Sequence, residues 1–367
     1  MTTAAKTYRA AIVGCSRIGA FIDNEVMGRS DMVLPYSHAA GYEACERTDL
    51  IAGADLREEV LEAFGGRYDV PASHRYTDYR QMIEREKPDI VSVATQPEQR
   101  AEVALFAVEH GVRALYCEKP LCASLEEADR LVAAVEKHGV AFNMGTNRRW
   151  HPAYEVMRNT IASGELGALQ ALIVYSGGTL FNTTSHYFDL IQWLNGDNPV
   201  AWVQGWLPKG EASLDGDVVI EDPAAEGMVG FSNGVIAHIL RTSLPSEHQA
   251  VFERGSLTAM NNGSELALRR MEGEGRTRKV AAAPAPAFTL ASSTLRLIED
   301  LVHALDTGEA TRGGVRVARE NMHMIFGMIE SGRRGGVQMK LPLEDCRLVF
   351  KRRNVRPGQP RYAPVES

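Results

Sequence analysis

Short apolar runs alternate with amphipathic stretches over the first part of the chain. The runs at 8–13, 49–54, 90–95, 114–117 and 141–144 are too short and too uniformly apolar for helices and read as buried strands. Between them, 57–64, 79–86, 97–110 and 124–138 repeat apolar positions at helical spacing. The helix beginning at Pro97 carries its proline in the first turn and Gly111 just past its end, the expected start and stop. Such alternation predicts a doubly wound parallel sheet, that is, an α/β Rossmann domain.

The pattern changes after about Gly145. Segments 169–176, 200–206, 225–231, 235–240 and 249–253 are β-rich, several with one polar face, and are separated by short turns. Helices are expected at 185–194, 293–307 and 314–332. Together these predict an α+β domain with a large, mainly antiparallel sheet. The expected division is 1–146 for the first domain, 147–350 for the second and 351–367 for a tail. Residues 272–286, rich in Gly, Arg, Ala and Pro, read as a loop, and the aperiodic tail as either disordered or an arm reaching a neighbouring subunit.

A chain of 367 residues fits two such domains. Its net charge of −7 argues against a nucleic-acid-binding face. No apolar run is long enough to span a membrane, and the first residues lack the apolar core of a secretory signal. The five cysteines are odd in number and unclustered, as expected of reduced thiols in the cytoplasm rather than a disulfide framework. No Cys/His spacing suits zinc, so no metal site is expected.

Strand 8–13 runs directly into Gly14-Cys15-Ser16-Arg17-Ile18-Gly19, the dinucleotide-binding glycine pattern with serine in its second glycine position. Gly14 permits the tight turn, a small residue at 16 lets the backbone approach a pyrophosphate, and Gly19 allows close helix–strand packing. Asp55 ends the second strand and would accept from a ribose 2′-hydroxyl while repelling a 2′-phosphate, which favours NAD over NADP. Its separation from the glycine turn exceeds the usual ~20 residues, and an insertion at 23–35, either a lid or surface decoration, accounts for the excess. Arg57 would partly accommodate a phosphate or lie on a solvent-exposed helix.

Two further signatures stand at strand ends: Val93-Ala94-Thr95-Gln96-Pro97 and Glu118-Lys119-Pro120. With Asn147-Arg148-Arg149 and Pro152, Gly164-Glu165-Leu166-Gly167, His186-Tyr187-Phe188-Asp189-Leu190 with Trp193-Leu194, and Leu341-Pro342-Leu343, the chain resembles the glucose–fructose oxidoreductase and inositol dehydrogenase (Gfo/Idh/MocA) family over roughly 8–345. The resemblance implies NAD-dependent oxidation or reduction of a sugar, polyol or glycoside hydroxyl carbon, in a homo-oligomer (dimer or tetramer) joined through the C-terminal sheet. It implies that Gly14, Ser16, Arg17, Ile18 and Gly19 hold the pyrophosphate, Asp55 holds the adenosine ribose, and Thr95, Gln96 and Pro97 line the cofactor's path. Glu118 and Lys119 would sit at the nicotinamide ribose and the reacting hydroxyl. His186 corresponds to the family's acid/base. Two positions depart from the pattern: Asn182 stands where an aspartate is common, and Arg100 where a histidine is common.

Oxidising a secondary alcohol needs a hydride acceptor, a base and a group that stabilises developing alkoxide. We therefore expect His186 to act as acid/base, Lys119 as electrostatic stabiliser and proton partner, and Asn182 to orient the substrate hydroxyl. Asp189, one turn from His186, would orient its ring or simply favour the helix dipole. Arg149, His151, Asn182 and Tyr187 are candidate substrate contacts, and Trp150 is either a stacking platform or core. A freely exchanging dehydrogenase is the first reading. A NAD-retaining oxidoreductive glycosidase uses the same residues and is the alternative, and a non-catalytic NAD-binding regulator is a third.

Overall fold

The computed structural model describes residues 6–353 and 359–364. They form two compact units: 6–147, Ala291–Arg319 and 359–364 in one, Arg148–Leu290 and Glu320–Arg353 in the other. The single expected boundary near 146 therefore misses the return of a long later segment to the first unit. Of the expected tail, 354–358 and 365–367 lie outside the described residues. Residues 359–364 belong to the chain's own first unit, where Asn24 Nδ2 donates to the Arg361 carbonyl at 2.6 Å and Tyr362 meets Phe21 edge-on at 5.0 Å.

The first unit holds strands β1 (Tyr8–Val13), β2 (Thr48–Ala54), β3 (Arg75–Tyr76), β4 (Ile90–Val93), β5 (Ala114–Cys117) and β6 (Ala141–Met144). They form one parallel sheet in the order β3-β2-β1-β4-β5-β6, the doubly wound arrangement expected from the sequence. Every residue of β4 and β5 is buried, because helices cover both faces, and this is why these strands read as unbroken apolar runs. The helices are α1 (Asp23–Val26), α2 (His38–Ala44), α3 (Glu58–Arg67), α4 (Tyr79–Glu86), α5 (Pro97–Glu109) and α6 (Leu125–His138). The insertion is closed at its base by the buried Asp23 carboxylate, which accepts from the Tyr36 and Ser37 backbone amides at 2.8 and 2.9 Å.

The second unit begins with α7 (Pro152–Ser163), β7 (Leu169–Ser176) and α8 (Ser185–Leu194). Then come β8 (Val200–Trp206), β9 (Leu214–Asp215), β10 (Val218–Val219), β11 (Glu226–Phe231), β12 (Ile236–Arg241), β13 (Glu247–Phe252), β14 (Gly255–Met260), β15 (Glu265–Glu272) and β16 (Lys279–Ala283). After α9 (Ser293–Thr307) and α10 (Val315–Arg333), β17 (Met339–Lys340) and β18 (Val349–Phe350) complete the element order. The large sheet runs β16-β15-β14-β13-β7-β12-β11-β8-β17 and is antiparallel except where β7 pairs with β12. The expected loop at 272–286 is overturned in its middle. Lys279–Ala283 is an edge strand on β15, and its low β-propensity alanines are held by ladder pairing rather than by their own preference.

α9 belongs to the first unit. Ser292, its N-cap, accepts from Leu295 N and donates to the Pro35 carbonyl, while Gly41 of α2 leaves room for Ile298. Asn143, fully buried on β6, donates to Asp300 Oδ2 at 2.8 Å and accepts from Gly313 N at 2.9 Å. Asn143→Ala leaves the Gly313 amide unpaired in the interior and takes one of the two hydrogen bonds from Asp300 Oδ2. Urea unfolding should show a loss of about 2 kcal/mol, and a loss below about 0.5 kcal/mol would mean that the contact is incidental.

Candidate functional site

A cleft of about 430 Å³ opens at the C-terminal ends of β1, β2 and β4. Its wall includes Gly14, Ser16, Asp55, Leu56, Arg57, Thr95 and Gln96. Gly14 has φ +94°, and a Cβ there would come within 2.9 Å of the Ala94 carbonyl. Glycine is thus required both by backbone angle and by the closeness of β1 and β4. A Cβ on Gly19 would lie 2.0 Å from the Gly14 oxygen, so the second glycine fixes the turn itself. The helix after the turn is shorter than expected: a π-helical turn, Arg17–Phe21, followed by α1. Thr95 Oγ1 is buried against this cleft and has no hydrogen-bond partner among the described residues, as expected of a hydroxyl that a bound molecule completes. The glycine-lined approach, the Asp55, Arg57 and Gln96 side chains of the wall and this hydroxyl fit a dinucleotide.

Asp55 Oδ1 accepts from the Arg57 amide at 3.1 Å and from its Nε at 3.4 Å. Arg57 is therefore part of the cleft wall and the N-cap of α3, not an exposed helix residue. Gln96 caps α5, whose first residue, Pro97, is buried beneath it. Arg17 does not line the cleft; its Nε pairs with both Glu25 carboxylate oxygens.

Glu118 and Lys119 follow β5. The Glu118 carboxylate turns inward and is 7% exposed. Its Oε1 meets His38 Nε2 at 3.2 Å, and its Oε2 accepts from the Lys119 amide at 3.2 Å. Burial would raise its pKa, but the His38 hydrogen bond and the charges of His38, Lys119 and Arg100 hold it below the usual carboxylate range. Arg100 is no helix-surface residue. It is 3% exposed, and its guanidinium donates to the Thr95 and Pro120 carbonyls, joining the two signature turns.

In the second unit a π-helical turn, Leu180–Thr184, continues into α8, so Asn182 and His186 lie on one helical run. Asn182 is exposed and His186 partly so. The start of this run is held by Asp222, whose carboxylate accepts from Thr179 Oγ1 at 2.6 Å, Phe181 N at 2.9 Å and Asn182 N at 2.9 Å. Sequence reasoning missed Asp222 because it lies forty residues away in a loop without pattern.

Residues 8–146 match the description "Oxidoreductase family, NAD-binding Rossmann fold" (GFO_IDH_MocA). Over these residues the chain is similar to the Gfo/Idh/MocA oxidoreductases. It is 28% identical to D-apiose dehydrogenase of Paraburkholderia graminis over 45% of this chain and 39% of that one. It is 28% identical to inositol 2-dehydrogenase of Salmonella typhimurium over 51% of this chain and 54% of that one. The chain thus spans about half or less of the length of these relatives. The fold is shared with an inositol dehydrogenase homologue of Azotobacter vinelandii solved with NADH and myo-inositol, at TM-score 0.72 and 18% identity over 92% of this chain and 98% of that one. Residues 8–146 of the first unit are accordingly an NAD-binding Rossmann fold.

Several expected substrate contacts are placed elsewhere. Arg149 is fully buried, with Nε on Asp189 at 2.7 Å and a terminal nitrogen on Asp197 at 2.8 Å. Burial would lower the pKa of its guanidinium, but the two carboxylates outweigh that and raise it. Asp189 thereby serves Arg149. Tyr187 is 3% exposed, accepts from Ser246 Oγ at 2.7 Å and lies under the Arg148 guanidinium. Trp150, 1% exposed, is core. His151 caps α7, its Nδ1 accepting from Ala153 N at 3.3 Å. Among the described residues no cluster suits a metal ion, and no helix is long and apolar enough to cross a membrane.

Arg149→Met would strand Asp189 as a buried charge. Denaturant unfolding should show a loss of roughly 3–5 kcal/mol. A variant of unchanged stability with a raised substrate KM would restore Arg149 as a substrate contact.

Proposed function

We propose that this chain oxidises or reduces a hydroxyl carbon of a sugar or polyol with NAD. The observation that carries the reading is a dinucleotide-shaped cleft at the ends of β1, β2 and β4, with Lys119 at the end of the neighbouring β5. Ligands of doubly wound sheets bind at these strand ends. The sugar and polyol dehydrogenases among its relatives support the substrate class.

Bound NAD supplies the hydride acceptor. Gly14 and Ser16 admit its pyrophosphate, Leu56, 81% exposed on the cleft wall, offers adenine an apolar surface, and Thr95 Oγ1 and Gln96 orient the remainder. Lys119 stabilises developing alkoxide as an ammonium. His186 exchanges the hydroxyl proton, and Asn182, which hydrogen-bonds but takes no proton, orients the hydroxyl. The chain works in the cytoplasm with reduced thiols and assembles through the open face of the large sheet. Trp206 and Leu240 leave 55% and 42% of their surface exposed on β8 and β12.

A panel of sugars, polyols and glycosides, followed for NADH absorbance and free aglycone in the same wells, tests the reaction. NADH formation with a sugar or polyol is expected, and Lys119→Ala and His186→Ala should each lower turnover about 10²-fold or more. Aglycone release without net NADH would replace the dehydrogenase by the NAD-retaining glycosidase. A folded variant with wild-type turnover would remove that residue from the mechanism.

The cofactor preference is read from Asp55. Asp55→Ala removes the ribose acceptor and releases Arg57, so NAD should bind about tenfold more weakly and NADP more tightly by calorimetry. Equal or tighter NADP binding by the unaltered protein would reverse the assignment.

A further inference from the structure

A buried chain of polar groups runs from the interior of the first unit to the strand end that carries Lys119. His38, the first residue of α2, is fully buried and stacks on Tyr116 of β5 at 3.7 Å. Its Nδ1 lies 2.9 Å from Ser92 Oγ on β4, and Ser92 Oγ lies 2.8 Å from the Tyr42 hydroxyl. Its Nε2 lies 3.2 Å from Glu118 Oε1. An ionised carboxylate only accepts, so Nε2 carries a proton and donates it to that bond. The other Glu118 oxygen takes the Lys119 backbone N–H at 3.2 Å. A Cβ on Gly145 would come within 2.5 Å of Glu118 Oε1, so the backbone beyond β6 closes the remaining side of the carboxylate.

We propose that His38 is a positioning residue for Lys119, acting through Glu118, which it holds in place as a fixed negative charge beside the lysine. The proposal rests on Lys119 being a working residue at this strand end, as proposed above. A buried carboxylate costs several kcal/mol unless paired, and an apolar core would serve stability equally well. The groups facing Glu118 are His38 from α2, Arg100 from α5, Tyr116 and Cys117 from β5, and Lys119 beside it in the chain. Burial pushes the Tyr116 and Cys117 pKa values up, so both stay neutral. Arg100 is anchored on the Thr95 and Pro120 carbonyls and does not lose its proton. Lys119 is only partly buried. Its protonation, like that of His38, responds to how closely the Glu118 charge is held.

The sign follows from the charges. An anion beside an ammonium stabilises the protonated lysine. Glu118 stays ionised where a lysine titrates, but without the His38 donor its carboxylate is no longer held beside the ammonium, and Lys119 then releases its proton at lower pH.

The test needs neither substrate nor NAD. The full chain is reductively methylated with ¹³C-formaldehyde, the Lys119 resonance is identified by its loss in Lys119→Arg, and its pH titration is followed by NMR. His38→Gln places an amide donor where Nε2 was, whereas His38→Asn reaches only the Ser92 side. We expect His38→Asn to lower the Lys119 midpoint by about one pH unit and His38→Gln to stay near the unaltered protein. Glu118→Gln should lower the midpoint by itself, and adding His38→Asn to it should move it no further. An unchanged midpoint in folded His38→Asn, with only a lower melting temperature, would make His38 ordinary core. An equal shift in the Glu118→Gln background would show that the effect does not pass through Glu118. Should the midpoints behave as expected while Lys119→Ala keeps full turnover, the coupling stands and the catalytic reading of Lys119 falls.

Discussion

A guanidinium without access to water holds the cofactor side of this protein together. Arg100 reaches from α5 to the Thr95 carbonyl after β4 and the Pro120 carbonyl after β5. Those turns end parallel strands, where backbone carbonyls and amides run out of ladder partners and would otherwise splay into solvent. Burial lowers the pKa of the guanidinium, but arginine stays charged, so the interior must supply acceptors and it recruits these two. Fixing both turns against one rigid plane sets the spacing between Thr95 and Lys119. The glycines at 14 and 145 are then needed because backbone and carboxylate approach too closely for any Cβ.

The second unit solves a similar problem with the opposite emphasis. Arg149 is the buried cation there, and Asp189 and Asp197 come to it. The pair fixes α8 from inside, while Asp222 fixes the start of the same helical run from outside by accepting from Thr179, Phe181 and Asn182. His186 lies between these anchors in sequence. Its helix is held at both sides while its ring stays partly exposed. That combination suits a group that must exchange protons without losing its position.

Local pattern carried most of the fold. The parallel strands, the glycine turn and the helices with proline starts or glycine stops were legible because each is set by neighbours in sequence. The missing pieces are of a different kind. β3 is two residues long, β16 is alanine-rich, and α9 is a clear helix whose sequence says nothing about which unit it joins. At the site, the backbone requirement at Gly14 and the place of Asp55 were readable from motif and strand end. The inward turn of Glu118, the burial of Arg149 and Tyr187, and the roles of His38 and Asp222 were not. Each depends on a partner tens of residues away, and charged residue types carry no local mark of burial.

Asn182 now has a physical context that its motif position alone does not supply. Its backbone amide already donates to Asp222 at 2.9 Å, so the side chain at 182 begins within a few bonds of a carboxylate. An aspartate there would set two negative charges close together, and like charges at such range raise the pKa of one of them and weaken the grip on the helix start. The neutral amide avoids that conflict while still offering a donor and an acceptor. The neutral residue at 182 and the presence of Asp222 are therefore compatible: the carboxylate at this helix end is spent on holding backbone, which is consistent with the orienting role proposed for Asn182.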